Sequence, residues 1–204
     1  EAWNPDFGAQ FSHLTTFSDS DLRLYGANVI ANLPNVTNID GSALLMSDSA
    51  SLTLSGVTSM LAGKVVRRDY IGNSLWENTQ FSSNGTGTIN LPNLSSITPR
   101  IPGSSKFFIA ISSGTVRLPS LQTLSNLVIV FDASYPSSLI DLSNLTSISA
   151  AGRSSIRSVA GATIDVRRLT SVKGSTVTVD ANSVFLSSLP DLTVSSIVTE
   201  EIGR

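Results

Sequence analysis

Side chains able to do chemistry are sparse in this chain, and the places where they gather are few. Immediately before six recurring apolar positions stand Asn32, Thr53, Asn90, Arg117, Asp141 and Asp165. If these positions stack, Arg117 faces Asp141 and a cross-strand ion pair there contributes ~0.2–1 kcal/mol, whereas Asp141 faces Asp165 and the two repel. Two carboxylates one strand apart are the ingredients of a calcium site or of acid/base glycan chemistry. A solvated ladder of exposed charges is the simpler expectation, because no further cluster of carboxylates and lysines accompanies the pair.

A second gathering lies between Leu61 and Asn90: Arg67, Arg68, Asp69, Tyr70, Trp76 and Glu77, with one of the chain's two tryptophans. Aromatic and charged groups together suit sugar stacking or a protein contact, and loops on a rigid scaffold are where binding residues concentrate. The competing expectation is a coil with a degraded pattern and Trp76 in the core, or two short coils within the same interval. A smaller insertion, Thr98-Pro99-Arg100-Ile101-Pro102-Gly103, reads as a lengthened corner bordering the first.

Other chemistries find little support. The only histidine, His13, falls in a turn column shared with Asn35, Asn93 and Asn144, so an exposed turn residue is expected. Neither a G-x-S-x-G elbow nor a phosphate-cradling glycine loop occurs, and zero cysteines exclude disulfides and thiolate metal sites. No cofactor is expected, and no motif indicates calcium. Arg67-Arg68 and Arg167-Arg168 are isolated basic pairs in a chain of net charge -2, which argues against nucleic acid. Ice binding would want regular Thr-x-Thr rows, and only Thr176-Val177-Thr178 fits well. Asn35, Asn84, Asn93 and Asn144 each head an N-x-[ST] sequon; three share one repeat position, so the repeat itself generates them.

Charged residues make up 14% of the 204, against ~25% in an average soluble domain, while serine supplies 36 positions and threonine 18. Hydroxyls must therefore solvate much of the surface. Balanced charge with 41% hydrophobic residues argues for a folded chain of one domain. The longest apolar runs, Phe107 to Ile111 and Leu127 to Phe131, are far shorter than the ~20 residues of a membrane span. Glu1 in place of methionine suggests a processed or excised fragment, and no signal peptide is visible.

The elements that must position these residues come from a repeat. Phe11/Leu14/Phe17 recurs as Leu33/Val36/Ile39, Leu54/Val57/Met60, Leu91/Leu94/Ile97, Leu118/Leu121/Leu124, Leu142/Leu145/Ile148, Val166/Leu169/Val172 and, less cleanly, Leu189/Leu192. First positions are spaced 22, 21, 37, 27, 24, 24 and 23 residues apart, a period of stacked single coils with one large and one small insertion. Between the apolar positions lie Pro34, Pro92, Pro119 and Pro190, then Asn35, Gly56, Asn93, Ser120, Asn144, Arg168 and Asp191, so each coil bends there.

Alternating, β-branched runs fill the rest, and no 3.6-residue periodicity lasts longer than about two turns. An isolated coil cannot bury its apolar side, but coils stacked at ~4.8 Å pair strand to strand around a continuous core. The expected fold is all-β: a parallel β-solenoid (β-helix) with coils of about 21–24 residues and little helix. One domain spans 1–204, with 1–10 as N-terminal cap and 61–90 as insertion or irregular coil; Trp3, Pro5 and Phe7 would plug the first coil.

Phrases such as Leu33-Pro34-Asn35-Val36-Thr37-Asn38-Ile39 and Leu91-Pro92-Asn93-Leu94-Ser95-Ser96-Ile97, each preceded by a strand, resemble leucine-rich-repeat-like solenoids over residues 11 to about 195. Receptor L-domain and bacterial surface repeats are the most similar types. The usual asparagine of those repeats is not regularly placed and the coil helix is missing, which favours an all-β coil over a horseshoe. The resemblance implies extracellular or cell-surface binding and scaffolding, and no catalytic residue carries over.

The expected function is therefore a non-enzymatic structural or adhesive module of a larger surface protein, with a protein or surface glycan as partner and end-to-end self-association. A polysaccharide-binding or polysaccharide-degrading β-helix, using Asp141, Asp165 and the Trp76 loop, is the alternative.

Overall fold

The computed structural model describes residues 10–66, 75–77, 79–103, 105–188 and 197–198. The chain is nearly all β, with parallel strands stacked as a solenoid of about six turns and essentially no helix. Each turn contributes three faces. The first ladder stacks Asp21–Leu24, Ala43–Met46, Thr79–Asn84, Lys106–Ser112 and Val128–Ser134, followed by the second halves of Ser147–Val159 and Ser171–Val179. The second stacks Ile30–Asn32, Ser51–Thr53, Thr88–Asn90, Thr115–Arg117, Leu139–Asp141, Thr163–Val166 and Val184–Ser187. The third stacks Ser59–Ala62, Ser96–Pro99 and Thr123–Ser125 with the first halves of the two long strands.

Alternation along each strand sends every second side chain inward, and identical registers turn those side chains into columns. Leu44, Phe81, Ile109, Phe131, Ile156 and Val177 form one on the first face; Ala31, Leu52, Ile89, Val116, Ile140 and Ile164 form another on the second. All of these are buried, and Phe107 packs edge-on between Phe81 and Phe131 with centroids 5.2 and 6.1 Å apart. The six middle copies of the apolar triplet, from Leu33/Val36/Ile39 to Val166/Leu169/Val172, are likewise buried. In the first copy Phe11 is 41% exposed, because no coil precedes it among the described residues. Leu189 and Leu192 of the last copy lie outside the described residues.

Corners are closed by side chains as much as by backbone. In six of the seven described triplets the second apolar amide bonds back to the first apolar carbonyl, as from Leu121 to Leu118 at 3.1 Å and Leu145 to Leu142 at 2.8 Å, closing a tight turn. The asparagine inside that turn then reaches the preceding coil: Nδ2 of Asn35, Asn93 and Asn144 donates to the carbonyls of Ser12, Ser55 and Pro119 at 2.7, 2.7 and 2.6 Å. Where Gly56 takes this place, a Cβ would stand 2.3 Å from the Pro34 carbonyl oxygen and 2.5 Å from that of Val36, so only glycine lets these corners approach.

Serine has a second role that exposure alone does not explain. Ser42, Ser83, Ser105, Ser138, Ser154, Ser158 and Ser175 are buried, mostly where one face turns into the next. Ser83 Oγ donates to the Gly87 carbonyl (2.6 Å), Ser158 Oγ to the Ala162 carbonyl (3.1 Å), and Ser105 Oγ accepts from the Ile101 amide (2.9 Å). At six of these seven, a small hydroxyl bonds backbone groups near the corners, the buried Ser175 Oγ having no partner among the described residues.

Of the long insertion, the described residues form one antiparallel strand pair. Lys64–Val66 and Leu75–Glu77 pair antiparallel, in the register Val65↔Trp76, as a hairpin leaving the solenoid between its third and first faces. Gly63, at its base, donates its amide to Thr79 Oγ1 (2.9 Å), and its α-carbon faces Ser105 and Arg100 of the second insertion, so the two insertions do adjoin.

Candidate functional site

The carboxylate column exists in the predicted register: Asn32, Thr53, Asn90, Arg117, Asp141 and Asp165 lie side by side on successive strands of the second face. Its electrostatics differ from the expectation. Asp165 is buried, and Arg167, two residues on, wraps it: Nε donates to both carboxylate oxygens at 3.0 and 3.2 Å, Nη2 also bonds Oδ2, and the Arg167 amide donates to Oδ1 at 3.2 Å. That guanidinium holds the Asp165 carboxyl below the usual carboxylate range, against the opposing effect of burial.

Asp141 instead accepts the Ser143 amide at 3.1 Å, closing its own turn, and forms no ion pair with Arg117. The two carboxylates therefore do not face each other as free acids. One is neutralised by an arginine that holds its pKa down, and the other caps a corner. Among the described residues, no group of three or more His, Cys, Asp or Glu is placed to hold a metal ion.

Of the loop candidates, Arg67, Arg68, Asp69 and Tyr70 lie outside the described residues. Trp76 and Glu77 belong to the second hairpin strand, opposite Val65 and Lys64. His13 is exposed in the first corner, in line with its assignment as a turn residue. Arg100, in the shorter insertion, donates through Nη1 to both carboxylate oxygens of Asp19 (3.0 and 3.1 Å), tying the third coil to the first.

A groove that the sequence patterns did not reveal opens on the first face. It has a volume of about 310 Å³ and is lined by Ser82, Ser83 and Asn84 of one coil, Ile111 and Ser112 of the next, and Asp132 and Ser134 of the third. Asp132 pairs with Arg157 of the following strand at 3.1 Å. Directly after Ser134 comes Tyr135, which is 55% exposed with φ of 78°.

Its column explains why that is unusual. Two residues beyond the aligned positions Leu24, Met46, Ser83, Ile111, Ala133 and Ser158, six successive coils enter the left-handed region, at Gly26, Asp48, Gly85, Ser113, Tyr135 and Ala160. Glycine and small polar residues suit this conformation; a tyrosine does not. The signal in the sequence was Tyr135-Pro136-Ser137-Ser138, a turn phrase carrying an aromatic where the other coils carry small residues.

Continuous apolar columns inside, three stacked parallel faces outside and side-chain ladders at the corners define a β-solenoid repeat protein. No family model, curated protein or solved structure matches the chain.

Proposed function

We propose that the chain is a non-enzymatic scaffold or adhesive unit of a larger extracellular or cell-surface protein. The observation that carries this reading is the engagement of its best catalytic candidates in structural bonds: Asp165 is held by Arg167 and Asp141 by the Ser143 amide. What remains outside is a regular, hydroxyl-rich rod surface, suited to spacing and presentation. The resemblance of its turns to leucine-rich-repeat-like surface proteins supports the same placement, without a helix in the coil.

Such a unit works through its ends and its faces. On the last described strand of the second face, the outward-facing Val184 and Leu186 are 43% and 41% exposed beside the partly buried Phe185, and a strand added at that edge would cover part of their surface. Small-angle scattering across a concentration series should show end-to-end growth in length that Val184→Lys with Leu186→Lys suppresses. A profile that stays monomeric at millimolar concentration would remove self-association. Release of reducing ends from polysaccharide, abolished by Asp141→Asn with Asp165→Asn, would establish the enzymatic alternative instead.

A further inference from the structure

We propose that the groove running from Ser82 to Ser134, with Tyr135 at its edge, binds a neutral glycan chain. The inference rests on the adhesive form of the function proposed above and gives it a ligand class.

Three successive strands supply the lining, so a ligand in the groove lies across them, along the solenoid axis, and spans roughly 10 Å at ~4.8 Å per strand. Its volume of about 310 Å³ is at the small end of ligand sites. The hydroxyls of Ser82 and Ser112 and the amide of Asn84 offer donors and acceptors, and Ser134 Oγ, which donates to the Ile111 carbonyl at 3.2 Å, offers an acceptor; none of these carries the charge that would select an ionic ligand. The one charged lining residue, Asp132, is compensated by Arg157 at 3.1 Å and keeps 41% of its side-chain surface exposed as an acceptor. Hydroxyl-rich ligands match such a surface; carboxylated ones meet Asp132.

Tyr135 is the second, independent observation. Folding gains little from it: the ring is largely exposed and the backbone is held where L side chains are strained. Glycine at Gly85 and alanine at Ala160 make the same turn in neighbouring coils, so the turn does not require an aromatic. One residue beyond the lining Ser134, this exposed aromatic would supply the apolar platform against which the C–H face of a sugar ring packs while its hydroxyls bond the groove.

The test is native gel electrophoresis of the whole chain through gels containing hydroxyethylcellulose, xyloglucan, galactomannan or soluble starch, with pectate as the charged control. The parent protein should be retarded in at least one neutral gel. Tyr135→Gly should weaken that retention roughly tenfold or more while melting at or above the parent temperature, and Tyr135→Phe should retain binding. A loss of function together with a gain in stability is a combination that a structural tyrosine does not produce.

The proposal is overturned if the parent is unretarded in every neutral gel, if retention appears only with pectate, or if Tyr135→Gly binds like the parent. It is also overturned if Tyr135→Gly lowers the melting temperature as it loses binding. Scattering of the Tyr135→Gly protein separates the two ideas: end-to-end growth that persists without glycan retention refutes the groove and leaves the scaffold intact.

Discussion

Asn144 and Leu145 are neighbours in sequence and opposite in environment, and their comparison shows what holds a corner. Leu145 is fully buried in the triplet column, so Leu145→Ala should destabilise by ~2–5 kcal/mol. Asn144 points outward yet donates to the Pro119 carbonyl one coil away, so Asn144→Ala should lose ~0.5–1.5 kcal/mol, more than an ordinary surface change. Urea unfolding of both variants checks the order, and equal losses would show that the inward and outward registers are misassigned. Acid provides a second test at this scale. The Ser183 hydroxyl and the Ala160 amide hold buried Asp180 below the usual carboxylate range, as Arg167 does for Asp165. Both folded pKa values lie under the unfolded value of ~3.9, so their contribution is complete above about pH 5 and is lost as pH falls through 4 towards the lowered values. Asp180→Asn should lower the urea midpoint at pH 7 and flatten the decline towards pH 3; parallel curves for variant and parent would contradict the assignment. The Asp165 part should weaken with salt, since Arg167 is largely exposed.

At the scale of elements, each strand is only three or four residues long on the second face, too short to be stable alone, and gains its order from the strands on either side. The hairpin Lys64–Val66 with Leu75–Glu77 is different, because its strands pair with each other and join none of the three ladders. Its two ends already meet through the Gly63 amide and Thr79 Oγ1. Replacing residues 64–77 by a short Gly-Ser link should therefore leave the melting temperature within a few degrees of the parent. A large drop in calorimetry would mean that the hairpin packs against the solenoid. The sequence announced this insertion as a lengthened interval between triplets, but not its form, since whether extra residues coil or pair locally depends on which strands lie within reach. The serines were legible only as surface hydroxyls; those turned inward at corners look no different in sequence from those facing water.

For the whole molecule, stability is close to one-dimensional: each coil contacts chiefly the coil before and the coil after, and the two ends carry the unmatched surface. Ile30 on the first strand of the second face is 62% exposed and Val184 on its last described strand 43%, while the residues in register between them, Ser51, Thr88, Thr115, Leu139 and Thr163, are half-buried. The association proposed above rests on this geometry, because a second copy offers strands of the same register and length. It should fall steeply when charge is introduced at Val184 and Leu186 and respond little to changes on the flanks, such as at Tyr135. On the proposed reading, end contacts and face contacts are separable by these variants.

By itself the sequence determined the solenoid: the spacing of the apolar triplets, the proline and asparagine columns and the absence of helical periodicity admit few other ways to bury so many short apolar runs. It also determined which residues share a column, including Asp141 with Asp165, because a fixed coil length sets the register. Only the tertiary structure decided what those columns do. Arg167 folds back onto Asp165, the corner asparagines bond to the coil beneath, and three coils place Ser82, Ser112, Asp132 and Ser134 around one groove with Tyr135 beside it. A repeat specifies position along and around the axis, whereas bonding partners and grooves depend on side-chain directions and sizes in adjacent coils, which differ from one turn to the next.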